Sequence, residues 1–417
     1  MTDTVPSSPP PGQARVLMIS QFYRPEPIGS APFCADLTEA LAAAGHRVGV
    51  LTARPSYPEN VVYAAYRDGS LDRQTVRGVD VARIATYLKP GGSTIDRLLN
   101  ESSFMLNGAG ALYRNRRAGR PDIVVALCPS VFGVLLASTL RRRGTRCIAL
   151  VHDIQSGIAE GLGMMGGGIV GALRRMERLA FNRCDLLIVL SEEMRERLRM
   201  LGVRRPIHVH PIWIDTNAIE PAPSNPGNAR LALYSGNFGR KQGLGQLVDA
   251  AAELARRNAE VRIRLRGNGS ERAGLESGIA SRGLTNVEVC DLLPPERLSA
   301  GLAEGDIHLV PQDPSVADYA VPSKIYAIMA AGRPFVATAR PGSTLWRMQD
   351  ETGAFLCVPP NDPGALADAI LSLAANGEMR ETLGRRARQY VTENCNKPDS
   401  LRRLIDIIRD TGMAAAT

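Results

Sequence analysis

The stretch "ADYAVPSKIYAIMAAGRPFVAT", residues 317–338, reads as a loop, a short helix, a glycine stop and a strand. Pro322 suits a first helical position, Ile325, Ile328 and Met329 recur at helical spacing, and Gly332 with Pro334 ends the helix. Lys324 then stands at the amino end, where the macrodipole is positive and a cation is unwelcome. Val321 falls at the cap position and has no side-chain oxygen to offer. Two readings stay open. Ser323 and water cover the free N–H groups while Lys324 points to solvent, or this helix start with its lysine is a vacancy for an anion.

Working outward, short apolar runs alternate with helical patterns over most of the chain. The first half offers strands at "RVLMIS", "RVGVLT", "VDVARIA", "DIVVAL", "RCIALVH", "LLIVLS" and "PIHVHP". Several are apolar without alternation, as strands buried on both faces are. The stretch "DTNAIEPAPSNPGNA", 215–229, concentrates Pro, Asn and Ser and reads as a linker. Strands resume at "LALYSG", "VRIRLRG", "VEVCD", "IHLVPQ", "PFVAT" and "AFLCV". The expectation is an α/β protein of two tandem Rossmann-like, doubly wound domains facing one cleft. The expected divisions are a disordered leader over 1–14, a first domain over 15–214, the linker, a second domain over 230–395, and a helix over 396–417 crossing back to the first.

With 417 residues, 44% hydrophobic and 22% charged, the chain has the composition of a globular protein of more than one domain. Its seven cysteines are scattered, with no C-x-x-C pair, which argues against a disulfide framework or a zinc site and for a reducing cytoplasm. No apolar run approaches the roughly 20 residues of a membrane helix. The net charge of +8 lies wholly in residues 1–215, with dense patches at "YRNRRAGR", "RRRGTR" and "RRMER". Such a surface suits an anionic membrane leaflet, a phosphorylated acceptor or nucleic acid, although solvated helix faces give the same pattern. Aromatic residues make up only 5% and none interleaves with the patches, which disfavours nucleic acid.

Ligands of such sheets sit beyond the carboxyl ends of the strands. After the first strand, Gly29 followed by Ser30 would let backbone approach a phosphate. After the fifth, "VHDIQ" puts His152 and Asp153 at the cleft mouth, where a histidine can hydrogen-bond a substrate hydroxyl or a charged intermediate. The second domain opens with "LYSGNFGRKQGLGQL", in which Gly236 and Gly239 loosen the turn and Arg240, Lys241 and Gln242 crowd it with donors. A similar turn holds Gly267, Asn268 and Gly269. Only four of the 50 basic residues are lysines, and two of those, Lys241 and Lys324, fall at suspected phosphate turns. No D-x-D occurs, so a paired-carboxylate metal cradle is unsupported and no metal or other cofactor is expected.

These motifs, "SQFYRPEPIGSAPF", "VHDI", "LYSGNFGRKQGL", "VPSKIYAIMAAGRP" and "PPNDPGALADAI", together resemble those of the GT-B glycosyltransferases of family 4 over about residues 15–410. Within that family the chain is similar to exopolysaccharide enzymes of the colanic acid fucosyltransferase and acetylfucosamine transferase type. The resemblance implies retaining, metal-independent transfer of a sugar from a nucleotide-sugar donor to an acceptor hydroxyl. It implies a polyprenyl-diphosphate-linked glycan as acceptor and an enzyme peripheral to the anionic inner leaflet of the plasma membrane. His152, Lys324 and Lys241 are the expected catalytic group. Gly29, Ser30, Gly236, Asn237, Gln242, Pro322 and Ser323 are expected at the donor diphosphate, and Gly267, Asn268, Leu292 and Leu293 at the nucleoside. The acceptor side is expected on the basic-amphipathic stretch 93–122, with Arg114, Arg116 and Arg117.

The chain departs from the family pattern in two places. Many members carry two glutamates eight apart before the A-A-G, where this sequence has Tyr319 and Ala327. The family's Arg and Lys after the first strand of the second domain fall on Asn237 and Gln242, leaving Lys241 and Lys324 to replace them. The departures keep two rivals in view: a nucleotide-sugar epimerase of the same architecture, and a catalytically inactive partner in polysaccharide assembly.

Overall fold

The computed structural model describes residues 13–27, 30–115, 119–142, 144–222, 227 and 229–410. Most of the expected leader, part of the linker and the last seven residues of the chain lie outside these. The first sheet holds β1 (Arg15–Ile19), β2 (Arg47–Ala53), β3 (Arg73–Val76), β4 (Val79–Ile84), β5 (Ile123–Cys128), β6 (Arg146–Val151), β7 (Leu186–Val189) and β8 (Ile207–Val209). The second holds β9 (Leu231–Ser235), β10 (Arg262–Arg266), β11 (Val287–Cys290), β12 (Ile307–Val310), β13 (Phe335–Thr338) and β14 (Leu356–Val358).

Strand order is β3-β4-β2-β1-β5-β6-β7-β8 in the first sheet and β11-β10-β9-β12-β13-β14 in the second. Every pairing is parallel except that of β3 with β4. Helices cover both faces of each sheet, which is why β5, β7, β12 and β13 are buried at every position. Both orders reverse direction once, between β1 and β5 and between β9 and β12. Those switch points are where an open α/β sheet leaves a crevice for a ligand.

The final helix, Lys397–Asp410, leaves the second sheet and packs Leu401, Leu404 and Ile408 among Val16, Leu37 and Val125 of the first. Lys397 Nζ reaches Asp36 at 2.7 Å, and His210 Nε2 lies 3.0 Å from the Ser400 carbonyl oxygen. All seven cysteines are free. Among the described residues, no helix is long and apolar enough to cross a membrane.

Candidate active site

The turn after β9 is built by contact with the turn after β10. Gly236 N–H donates to the Arg266 carbonyl at 2.9 Å and Phe238 N–H to the Asn268 carbonyl at 2.8 Å. A Cβ on Gly267 would overlap the Gly236 carbonyl and the Phe238 ring, so the two glycine turns form one double layer. Gly236 has φ +151°, and a Cβ there would stand 2.8 Å from Lys324 Nζ. Glycine at 236 is therefore what admits the lysine.

The Lys324 ammonium is buried, lies 3.6 Å from the centre of the Tyr234 ring and, among the described residues, has no hydrogen-bond partner. Burial, and then the charge of Lys241, push its pKa down to about 7. The ring face offsets part of the desolvation cost. The solvent-pointing reading of Lys324 is thereby overturned: the side chain turns inward because Gly236 leaves room for it. The helix itself starts at Lys324 and ends at Ala330, two residues later than Pro322. Pro322 and Ser323 form a tight turn, with Ile325 N–H bonded to the Pro322 carbonyl at 3.2 Å. Val321 is not the cap but core, and Ser323 caps by position only, with no side-chain bond. Among the described residues, no backbone acceptor takes the Ser323 or Lys324 N–H. The Gln242 side-chain oxygen, in the β9 turn, is a second buried polar atom without a partner.

The opposite wall is the end of β6. Asp153 accepts from Lys241 Nζ at 3.3 Å, pairs its backbone with Ala320, and is followed by Ile154, whose N–H bonds the Tyr319 carbonyl at 3.0 Å. The half-buried His152 ring meets Phe33 edge-on at 5.7 Å. Burial, against an opposing pull from Asp153, lowers its pKa to about 4. The imidazole is therefore neutral at physiological pH, fit to hydrogen-bond a hydroxyl and not to carry charge.

A glycosyl transferase 4-like domain matches residues 29–213, and a glycosyl transferases group 1 domain matches residues 229–376. A chain of Escherichia coli (strain K12), assigned by name to colanic acid biosynthesis as glycosyl transferase WcaI, is 30% identical over 415 residues, 95% of this chain and all of that one. The chain belongs to the GT-B glycosyltransferases of family 4. Among solved structures, the glycosyltransferase is similar to sucrose-phosphate synthase from Thermosynechococcus elongatus (TM-score 0.74, 18% identity, 96% of this chain and 100% of that one). It is also similar to HepE from Anabaena, solved with UDP-glucose (TM-score 0.69, 14% identity, 95% and 100%).

In this glycosyltransferase the expected residues fall into two groups. Gly236, Asn237, Lys241, Gln242, Gly267, Asn268 and Lys324 converge at the carboxyl ends of β9 and β10, with Asp153 across the cleft through Lys241 and His152 beside it in sequence, its ring against Phe33. Leu292 and Leu293 follow β11, two strands from β9; Leu292 is exposed and Leu293 packs at Gly301. Ser30 opens the helix Ser30–Ala43, while Gly29 lies outside the described residues. Arg114 is exposed in the last turn of the helix Thr94–Arg114, and Arg116 and Arg117 lie outside the described residues.

Two features of the site were not read from the sequence. Tyr234 lies beneath Lys324, and only the β9 register shows it. Tyr319, at the place of the absent glutamate, lays its ring over Gly157 of the first domain, and a Cβ at Gly157 would overlap that ring.

Proposed function

We propose that this glycosyltransferase moves a sugar, with retention of configuration and without a metal, from a UDP- or GDP-sugar to a polyprenyl-diphosphate-linked glycan. It works at the inner face of the plasma membrane in exopolysaccharide, capsule or O-antigen synthesis. The name of the Escherichia coli relative supports the pathway, and the ligand of HepE supports the donor class. The observation that carries the reading is the buried Lys324 ammonium, which has no partner and lies beside a glycine turn and a second lysine.

In this reading the donor diphosphate supplies the missing partner. Lys324, Lys241 and the free N–H groups of Ser323 and Lys324 gather the charge that develops as the anomeric carbon–oxygen bond breaks and its electron pair passes to the β-phosphate. Asp153 gives up Lys241 to the incoming phosphate. The Gln242 oxygen accepts from a donor hydroxyl, and neutral His152 hydrogen-bonds the sugar.

Each charge-assisted contact of this kind contributes about 1.5–3 kcal/mol, so Lys324→Ala lowers kcat/KM for the donor by roughly tenfold to a hundredfold or more. A change of less than about twofold in steady-state assays overturns the assignment.

A further inference from the structure

The basic run "RRMER", 174–178, has no part in the donor chemistry. It lies on the helix Gly167–Asn182 and lines a cavity of about 400 Å³ whose walls include Arg174, Arg175, Arg178, Arg197, Ile154 and Tyr319. We propose that this cavity is a second anion site, taking a phosphate- or diphosphate-bearing molecule across the junction of the two domains.

Local charge favours an anion. Arg174 pairs with Glu160, while Arg197 pairs with Asp318 at 2.5 Å. Asp318 also serves Arg340 at 2.8 Å, so one carboxylate is shared by two guanidinium groups. Among the described residues, no side chain pairs with the guanidinium groups of Arg175 and Arg178. The carboxylate between them in sequence, Glu177, is turned inward onto Ser156, whose N–H it accepts at 3.1 Å. Two uncompensated cations therefore face a concavity with low-dielectric walls, where the field of the protein is focused.

The volume is that of a small-molecule site. Both domains build it. Gly157 lets the Tyr319 ring of the second domain lie on the helix Gln155–Gly161 of the first, and Arg197 covers that ring at 5.4 Å. The cavity is separate from the donor cleft. In the extended segment after β6, Asp153 faces Lys241 while the next residue, Ile154, lines the cavity, as alternation of side chains requires. The donor turns contribute no residue to its walls.

The test is calorimetric titration of the full chain with inorganic pyrophosphate, in a Lys241→Ala/Lys324→Ala background that removes the donor-cleft cations. One binding event is expected there, weakened roughly tenfold or more by Arg175→Gln/Arg178→Gln, because two exposed charges are lost. No event in that background, or a change below about twofold on removing the two arginines, overturns the proposal. If the background does not fold, hydrogen exchange on the unaltered chain replaces it. Pyrophosphate then protects amides around 174–178 and 318–319 separately from those around 236–242, and absence of that protection is equally fatal. Flotation with phosphatidic acid vesicles distinguishes the source of the anion. Flotation lost in Arg175→Gln/Arg178→Gln assigns a lipid headgroup, and pyrophosphate binding without flotation assigns a soluble phosphate.

Discussion

Lys324 destabilises the free enzyme. An ammonium taken from water without a partner costs of the order of several kcal/mol, and cation–π contact with Tyr234 returns only part of it. Its folded pKa of about 7 lies below the ordinary 10.5. Between those values the unfolded chain holds the extra proton, so stability rises with pH through that window, and the penalty is fully present below about 7. Lys324→Met keeps the volume and removes the charge. It should raise the melting temperature of the ligand-free enzyme near pH 7, and reduce the stabilisation that a fixed concentration of UDP or GDP confers on the unaltered enzyme. Thermal melts with and without nucleotide check both, and a lower melting temperature for the ligand-free variant contradicts the account. On the proposed reading, diphosphate binding at Lys324 restores the protonated form, so above about pH 7 it should take up a proton and nucleotide affinity should fall as pH rises. Titration calorimetry between pH 6.5 and 9 should show this decline in the unaltered enzyme, and a flatter dependence in Lys324→Met.

The helix Thr94–Arg114 starts with a capping box between Ser93 and Asp96, buries Phe104, and exposes Ile95, Leu99, Leu106 and Tyr113. At 100° per residue those four lie within about 40° of one another, a continuous apolar stripe along one face. Leu99→Glu/Leu106→Glu should reduce flotation with anionic vesicles severalfold while leaving the melting temperature unchanged, because neither side chain is in the core. Unchanged flotation would remove this helix from the membrane reading. The thirteen strands read from apolar runs all form; in β5, β7, β12 and β13 burial on both faces writes itself into composition, while β4 shows instead the alternation of a half-buried strand. β3 was missed because its four residues alternate between exposed and half-buried, so the period is too short to stand out. Its signal was the two-residue turn Arg77–Gly78, both at positive φ, which returns the chain as a hairpin. The conflict of Lys324 with its helix dipole was legible, but the inward course of its side chain was not. That course depends on Tyr234 and Gly236, ninety residues earlier and brought near by the order of the second sheet.

Besides the final helix and a buried apolar cluster holding Ile154 of the first domain with Val321 and Ile325 of the second, the two domains meet at the cleft through directional contacts. Asp153–Lys241, Arg197–Asp318 and Thr344–Glu193 join them, with backbone pairing of 153–154 against 319–320 between. Directional contacts at the cleft leave room for relative motion of its walls, and closure around a donor needs the two walls to meet in register. Gly157 and Tyr319 set that register sterically. A side chain at 157 has no room beneath the ring, so Gly157→Val must displace Tyr319 or hold the domains apart. The expected result is a fall in kcat of up to roughly a hundredfold, the order of loss that a displacement of about 1 Å at the reacting groups can bring, together with a larger radius of gyration in solution scattering. Tyr319→Ala in the same chain empties the space that the valine needs. The double variant should therefore recover most of both the rate and the compactness, a coupling that independent sites do not show. Failure of that rescue would mean that the contact between Gly157 and Tyr319 does not control closure, and that the ion pairs alone set the distance between the two walls.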